Sequence, residues 1–125
     1  MVVGVCRLAL ALPGVNSLKE KRGVVRRVLE RTRQRFPVSA AEVGSLDSHD
    51  ESVVAFAMVS NDGAQVDAML ERVAQYVESL GLAPVTRRAT QRLHAGPFED
   101  ATVPRAAGEA GPVLGDWDAF AEEGA

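Results

Sequence analysis

The order in which hydrophobic periods follow one another limits the fold of this chain more than any other feature. A period-two run spans about residues 2–12, with Cys6, Leu8, Leu10 and Leu12 on one face and Val3, Val5, Arg7, Ala9 and Ala11 on the other. Pro13-Gly14 ends it as a turn. Ser17-Leu-Lys-Glu20 then forms a capping-box pattern, in which the Ser17 hydroxyl accepts from the Glu20 N–H and Glu20 reaches back to the N–H of Ser17. A helix to about Arg35 follows, with Leu18, Val24, Val25, Val28, Leu29 and Phe36 clustered on one side. Gly23 inside it costs about 1 kcal/mol relative to alanine and suggests a close backbone contact.

Pro37 stops the helix. Two strand-like runs, about 38–46 and 52–60, flank a polar stretch too long for a two-residue hairpin turn. Asn61-Asp62-Gly63 is a turn and cap signal. Val66, Met69, Leu70, Val73, Val77 and Leu80 repeat at helical spacing, and Gly81 stands where a helix should end. A last strand runs from about 82 to 94, with Val85, Ala89 and Leu93 on one face and Arg88, Arg92 and His94 on the other. The order β-α-β-β-α-β predicts an α+β, ferredoxin-like split βαβ fold: a four-stranded antiparallel sheet with both helices on one face. The half-apolar outer face of such a sheet predicts a ligand, a protein partner or a second copy of the chain.

Residues 1–94 form the expected domain, and residues 95–125 an acidic tail rich in Gly, Pro and Ala with no periodic core stripe. The net charge of −3 conceals a division between the two: the first part holds 13 Lys and Arg against 10 Asp and Glu, the second 1 against 7. Trp117 and Phe120 lie among the acids of the tail, an arrangement suited to docking on a partner or on the basic helix. The basic excess is concentrated between Ser17 and Arg35, where eight cations meet only Glu20 and Glu30. Such a block attracts polyanions whatever the overall charge. Lys19, Lys21, Arg22, Arg26 and Arg33 are the expected phosphate contacts, with Arg88 and Arg92 in support. No strand carries paired aromatics, so contact with backbone or shape is expected rather than base stacking.

No catalytic constellation emerges, and the expectation is a non-enzyme without cofactor or metal. Cys6 lies within a strand and reads as a small core residue. His49 sits in an acidic loop with Asp47, Asp50 and Glu51, a weak metal site at most. Arg22 and Asn61 could hold a phosphate between them in a hydrolase of the same fold, but Asn61 or Asp62 is better explained as a helix cap. The glycine spacing of a P-loop is absent. The chain opens on a strand rather than a basic, cleavable leader, and no apolar run approaches the roughly 20 residues that span a bilayer. A cytoplasmic protein without a membrane partner is expected.

Val3-Gly-Val-Cys-Arg-Leu-Ala-Leu-Ala-Leu-Pro-Gly-Val-Asn-Ser-Leu-Lys-Glu-Lys-Arg22 resembles the opening of the YlxP-like family of bacterial domains. Val38-Ser-Ala-Ala-Glu-Val-Gly44 and Met58-Val-Ser-Asn-Asp62 are similar to its second strand and to its third strand entering the second helix. The resemblance covers about residues 1–93. It implies a small cytosolic ferredoxin-like domain encoded among genes for transcription elongation, translation initiation and ribosome maturation, hence RNA or the ribosome as partner. It implies no catalytic residue. Asp47-Ser-His-Asp-Glu-Ser52 stands where members often carry tryptophan and glutamine. The alternative reading is a protein-interaction or homodimerisation module that uses the open sheet face.

Overall fold

A computed structural model describes residues 1–96. The elements are β1 (Val2–Ala11), α1 (Leu18–Arg35), β2 (Ser39–Gly44), β3 (Glu51–Ser60), α2 (Gly63–Leu80) and β4 (Val85–His94). The four strands form one sheet in the order β2-β3-β1-β4. Every neighbouring pair is antiparallel. Both helices pack on one face, α2 against β1, β3 and β4 and α1 against β2. This is the ferredoxin-like arrangement that the hydrophobic periods predict. The tail from residue 97, including Trp117 and Phe120, lies outside the described residues.

Local chemistry explains where the helices begin and end. Ser17 caps α1 by accepting from the Glu20 N–H at 3.1 Å. Glu20 returns to Asn16 N–H, also at 3.1 Å, one residue earlier than the capping box expects. Asp62 caps α2, its Oδ1 accepting from Ala64 and Gln65 N–H. Gly81 ends α2 at φ +67°, a left-handed conformation that glycine adopts at no steric cost.

The core lies between the sheet and the helices. Leu8, Leu10, Val54 and Phe56 from the strands meet Val28, Leu70, Val73 and Val77 from the helices, all almost wholly buried. Each such burial is worth about 1.5–3 kcal/mol. Gly4 sets how closely α2 can approach β1, because a Cβ there would stand 2.2 Å from Val66 Cγ1. Gly23, expected to mark a close contact, instead faces solvent, where an added Cβ would meet nothing within 4 Å.

Strict register fails twice, once in β2–β3 between Glu42 and Gly44 and once beside β4. The β1–β4 register shifts between Ala9 and Leu10, so Ala9 pairs with Arg87 while Leu10 pairs with Val85. A residue is thereby left over on β4, as in a β-bulge. Val85 consequently packs against the core, whereas Ala89 and Leu93 lie opposite Arg7 and Val3 of the open face. The expected grouping of Val85 with Ala89 and Leu93 is corrected by this shift.

Candidate nucleic-acid interface

The core-facing stripe of α1 comprises Lys21, Val25, Val28 and Thr32. At 100° per residue, Lys19, Arg22, Arg26 and Arg33 fall within an arc of about 60° well away from that stripe. All four are exposed. Arg33 Nη1 donates to the carbonyl of Ala40 on β2 at 3.0 Å, which places the arc on the β2 flank of the helix. Among the described residues no carboxylate lies within ion-pair distance of these four side chains. Glu30 sits between Arg26 and Arg33 along the axis and pairs with neither. From Lys19 to Arg33 the arc extends about 21 Å.

Lys21 does not belong to this surface, which corrects its assignment as a phosphate contact. It is only 1% exposed. Its Nζ lies 3.0 Å from Glu42 Oε2 and donates to the carbonyls of Ser45 and Ser48. Three donors meet three acceptors, so the ammonium is satisfied by β2 and the β2–β3 loop. Ser52 Oγ donates to the same Glu42 oxygen at 2.7 Å. Ser45 holds φ +56°, an unfavourable region for a residue other than glycine, and the Lys21 contact helps to fix it. The signal lay in the sequence: position 21 is one turn before Val25 and two before Val28. The preceding loop joins the same end of the sheet through His49 Nδ1 and the Val15 carbonyl, 3.0 Å apart.

Arg88 and Arg92 are also separated from the α1 surface. Arg88 Nη2 lies 2.9 Å from both carboxylate oxygens of Glu71, and its Nη1 lies 3.9 Å from Glu78. Arg92 Nε lies 3.3 Å from Asp67. These acids share the β4 flank of α2, so both arginines tie the edge strand to that helix. The hydrogen bond from Arg88 holds the Glu71 carboxyl below its ordinary range, and Glu71 in turn raises Arg88. Helix α2 lies between them and α1. The structure thus places Arg88 and Arg92, expected as supporting phosphate contacts, on a different surface from the α1 arc and in ion pairs there.

The other singled-out residues do not form a reactive centre. Arg22 is in the second turn of α1, which starts at the end of the sheet where Ala11 pairs with Glu51, whereas Asn61 follows the opposite end, where Val2 pairs with Ser60. Those ends are about 30 Å apart. Cys6 is completely buried, and burial pushes its thiol up, partly offset by a hydrogen bond with Thr90. Among the described residues no three His, Cys, Asp or Glu side chains gather as a metal would require, and no helix is long and apolar enough to cross a membrane.

The sheet's other face carries Val3, Val5, Ala55, Ala57, Val59 and Leu93 in register, with Arg7 flanked by Ala55 and Ala89. Val59 is 63% exposed and Leu93 51%.

Comparison with known proteins adds the following. The family model described as "Protein of unknown function (DUF503)" matches residues 3–90. "Uncharacterized protein YlxP" of Bacillus subtilis (strain 168) is 32% identical over 78 residues, covering 62% of this chain and 85% of that protein. Among solved structures, a de novo designed protein with ferredoxin fold is similar with a TM-score of 0.48 at 11% identity, over 78% of this chain and 89% of that one. An antibiotic biosynthesis monooxygenase is similar with a TM-score of 0.42 at 15% identity, over 78% of this chain and all of the other. Identities this low concern the fold alone.

Proposed function

The chain belongs to the YlxP-like DUF503 family, and we propose that it is a non-catalytic module that binds RNA, free or ribosomal, through the exposed arc of α1. The observation that carries this reading is the arc itself: Lys19, Arg22, Arg26 and Arg33 project from one flank of one helix with no carboxylate paired to them among the described residues. Unneutralised cations at helical spacing release counterions when they meet phosphates, which makes binding steeply dependent on salt. The Arg33–Ala40 bond occupies one donor of a guanidinium that carries five, so Arg33 retains donors for a phosphate.

The test is a titration of an RNA oligonucleotide with the full chain at two salt concentrations, repeated with the Arg22→Ala/Arg26→Ala/Arg33→Ala variant. Affinity should fall steeply with salt for the parent, and the variant should lower the slope by about 2–3. Salt-independent binding, or no binding at low salt, overturns the reading.

A second reading, homodimerisation through the open sheet face, draws on the exposed apolar Val59 and Leu93. Exposed apolar patches on sheets commonly mark association surfaces. Sedimentation at several concentrations separates the two readings: a monomer throughout removes self-association and leaves the α1 arc untouched.

A further inference from the structure

The helical layer holds a second group of cations that the α1 arc does not include. Arg35, at the end of α1, points away from the arc and toward α2. Its guanidinium carbon lies 5.2 Å from the centre of the Tyr76 ring and 6.0 Å from that of Phe36. The two rings stand edge to face, 5.5 Å apart at 72°. Arg72, one turn before Tyr76, lines the same groove together with Met69 and Gln75. The groove is open to solvent and measures about 650 Å³, within the range of small-ligand clefts.

Three observations give it a chemical preference. First, it is cationic: among the described residues neither Arg35 nor Arg72 has a carboxylate partner, because the nearby acids of α2 serve Arg88 and Arg92 on its opposite flank. Second, it offers flat surfaces. The Arg35 guanidinium is held over the Tyr76 ring, and both arginine planes and aromatic rings are platforms on which unpaired bases stack. Third, it lies between two helices and has no strand edge, so an extended peptide would gain no main-chain ladder there. A base needs only a flat partner and a cation for its phosphate.

We propose that the groove formed by Arg35, Phe36, Arg72 and Tyr76 binds an unpaired nucleobase of a single-stranded RNA, with Arg72 on the adjoining phosphate. The proposal rests on the RNA reading and deepens it. The arc on one flank of α1 holds backbone of any form, and the groove on the other selects for unpaired nucleotides. Phe36 and Tyr76 lie forty positions apart and neither is in a strand, so a search for aromatics on the sheet passes over them.

The experiment measures fluorescence anisotropy of a labelled unstructured 12-nucleotide RNA and of a 12-base-pair RNA duplex with the full chain at two salt concentrations. Tyr76→Leu should weaken single-strand binding about tenfold, with little change in salt slope and no loss on the duplex. Tyr76→Phe should retain full affinity, and Arg72→Ala should lose affinity on the single strand only. Melting curves confirm that each variant is folded. Since Tyr76 is partly buried, the exposed Arg72 supplies a test independent of the ring. Equal loss on both forms of RNA, or none on either, overturns the groove while the arc stands. Single-strand binding that survives Arg22→Ala/Arg26→Ala/Arg33→Ala with an unchanged slope but fails with Tyr76→Leu supports the groove and removes the arc. Absence of binding to either RNA overturns both. Displacement of the single strand by a polyglutamate peptide that itself loses affinity with Tyr76→Leu reassigns the groove to acidic peptides and overturns the proposal.

Discussion

On the β4 side of the helical layer, Arg88 meets both oxygens of Glu71 at 2.9 Å and Arg92 meets Asp67 at 3.3 Å. On the β2 side, Lys19, Arg22 and Arg26 meet no carboxylate among the described residues. The residue types are nearly the same and both sets are exposed, but the neighbouring element differs. Helix α2 brings Asp67, Glu71 and Glu78 to the β4 flank, while α1 carries Glu20 and Glu30 and spends Glu20 on its own cap. A count of cations therefore says little about polyanion binding. What matters is whether the adjoining surface has already neutralised them. Lys21 marks a third condition, a cation wholly enclosed and used to fix a loop.

The largest effect should come from the enclosed cation. Lys21→Met would leave Glu42 without its ion-pair partner in a partly buried site and release the β2–β3 loop. Removing one member of a buried pair typically costs about 3–5 kcal/mol, which urea denaturation would register. A loss below about 1 kcal/mol would place Lys21 among ordinary surface lysines. Glu42→Gln should cost less, about 1–3 kcal/mol, because the ammonium keeps its two carbonyl acceptors.

The unpaired cations should behave in the opposite way. Arg22→Ala/Arg26→Ala/Arg33→Ala should flatten the salt dependence of RNA binding, while each substitution changes stability by no more than about 0.5 kcal/mol. A variant that unfolds, or that binds RNA like the parent, would erase the distinction between the two sides.

The smallest effect belongs to the paired side. Arg88→Ala should leave RNA affinity and its salt slope unaltered and lower the melting temperature slightly at neutral pH. That lowering has a definite pH dependence. Glu71 is held below its ordinary carboxylate value in the folded protein by Arg88. The contribution is therefore complete above the unfolded carboxylate value and disappears as pH falls through the depressed folded one. Melting curves of parent and variant should converge in acid; a difference that persists there would assign another role to Arg88.

Much of the fold was legible because its signals are local. Ser17 and Asp62 cap helices by bonding to N–H groups two or three residues away, and Cys6, Leu8 and Leu10 face inward by alternation alone. Less of the candidate site could be read in that way. Lys21 was legible in principle, since it shares the stripe of Val25 and Val28, but its chemical type suggests solvent. Arg88 and Arg92 could not be judged without knowing which helix lies beside β4. The inward turn of Val85 depends on a register shift that no pattern within β4 announces.

By itself the amino-acid order determined which segments became helix or strand, where most of them stop, and which face of β1 and of each helix seeks cover. These follow from hydrogen bonds and periodicities that act within a few residues. The tertiary structure alone decided which cations keep an open field, where Lys21 delivers its charge, and that Arg35 comes to rest on Tyr76. Charge pairing and stacking act through space between elements far apart in the chain, so they exist only once packing has made those elements neighbours.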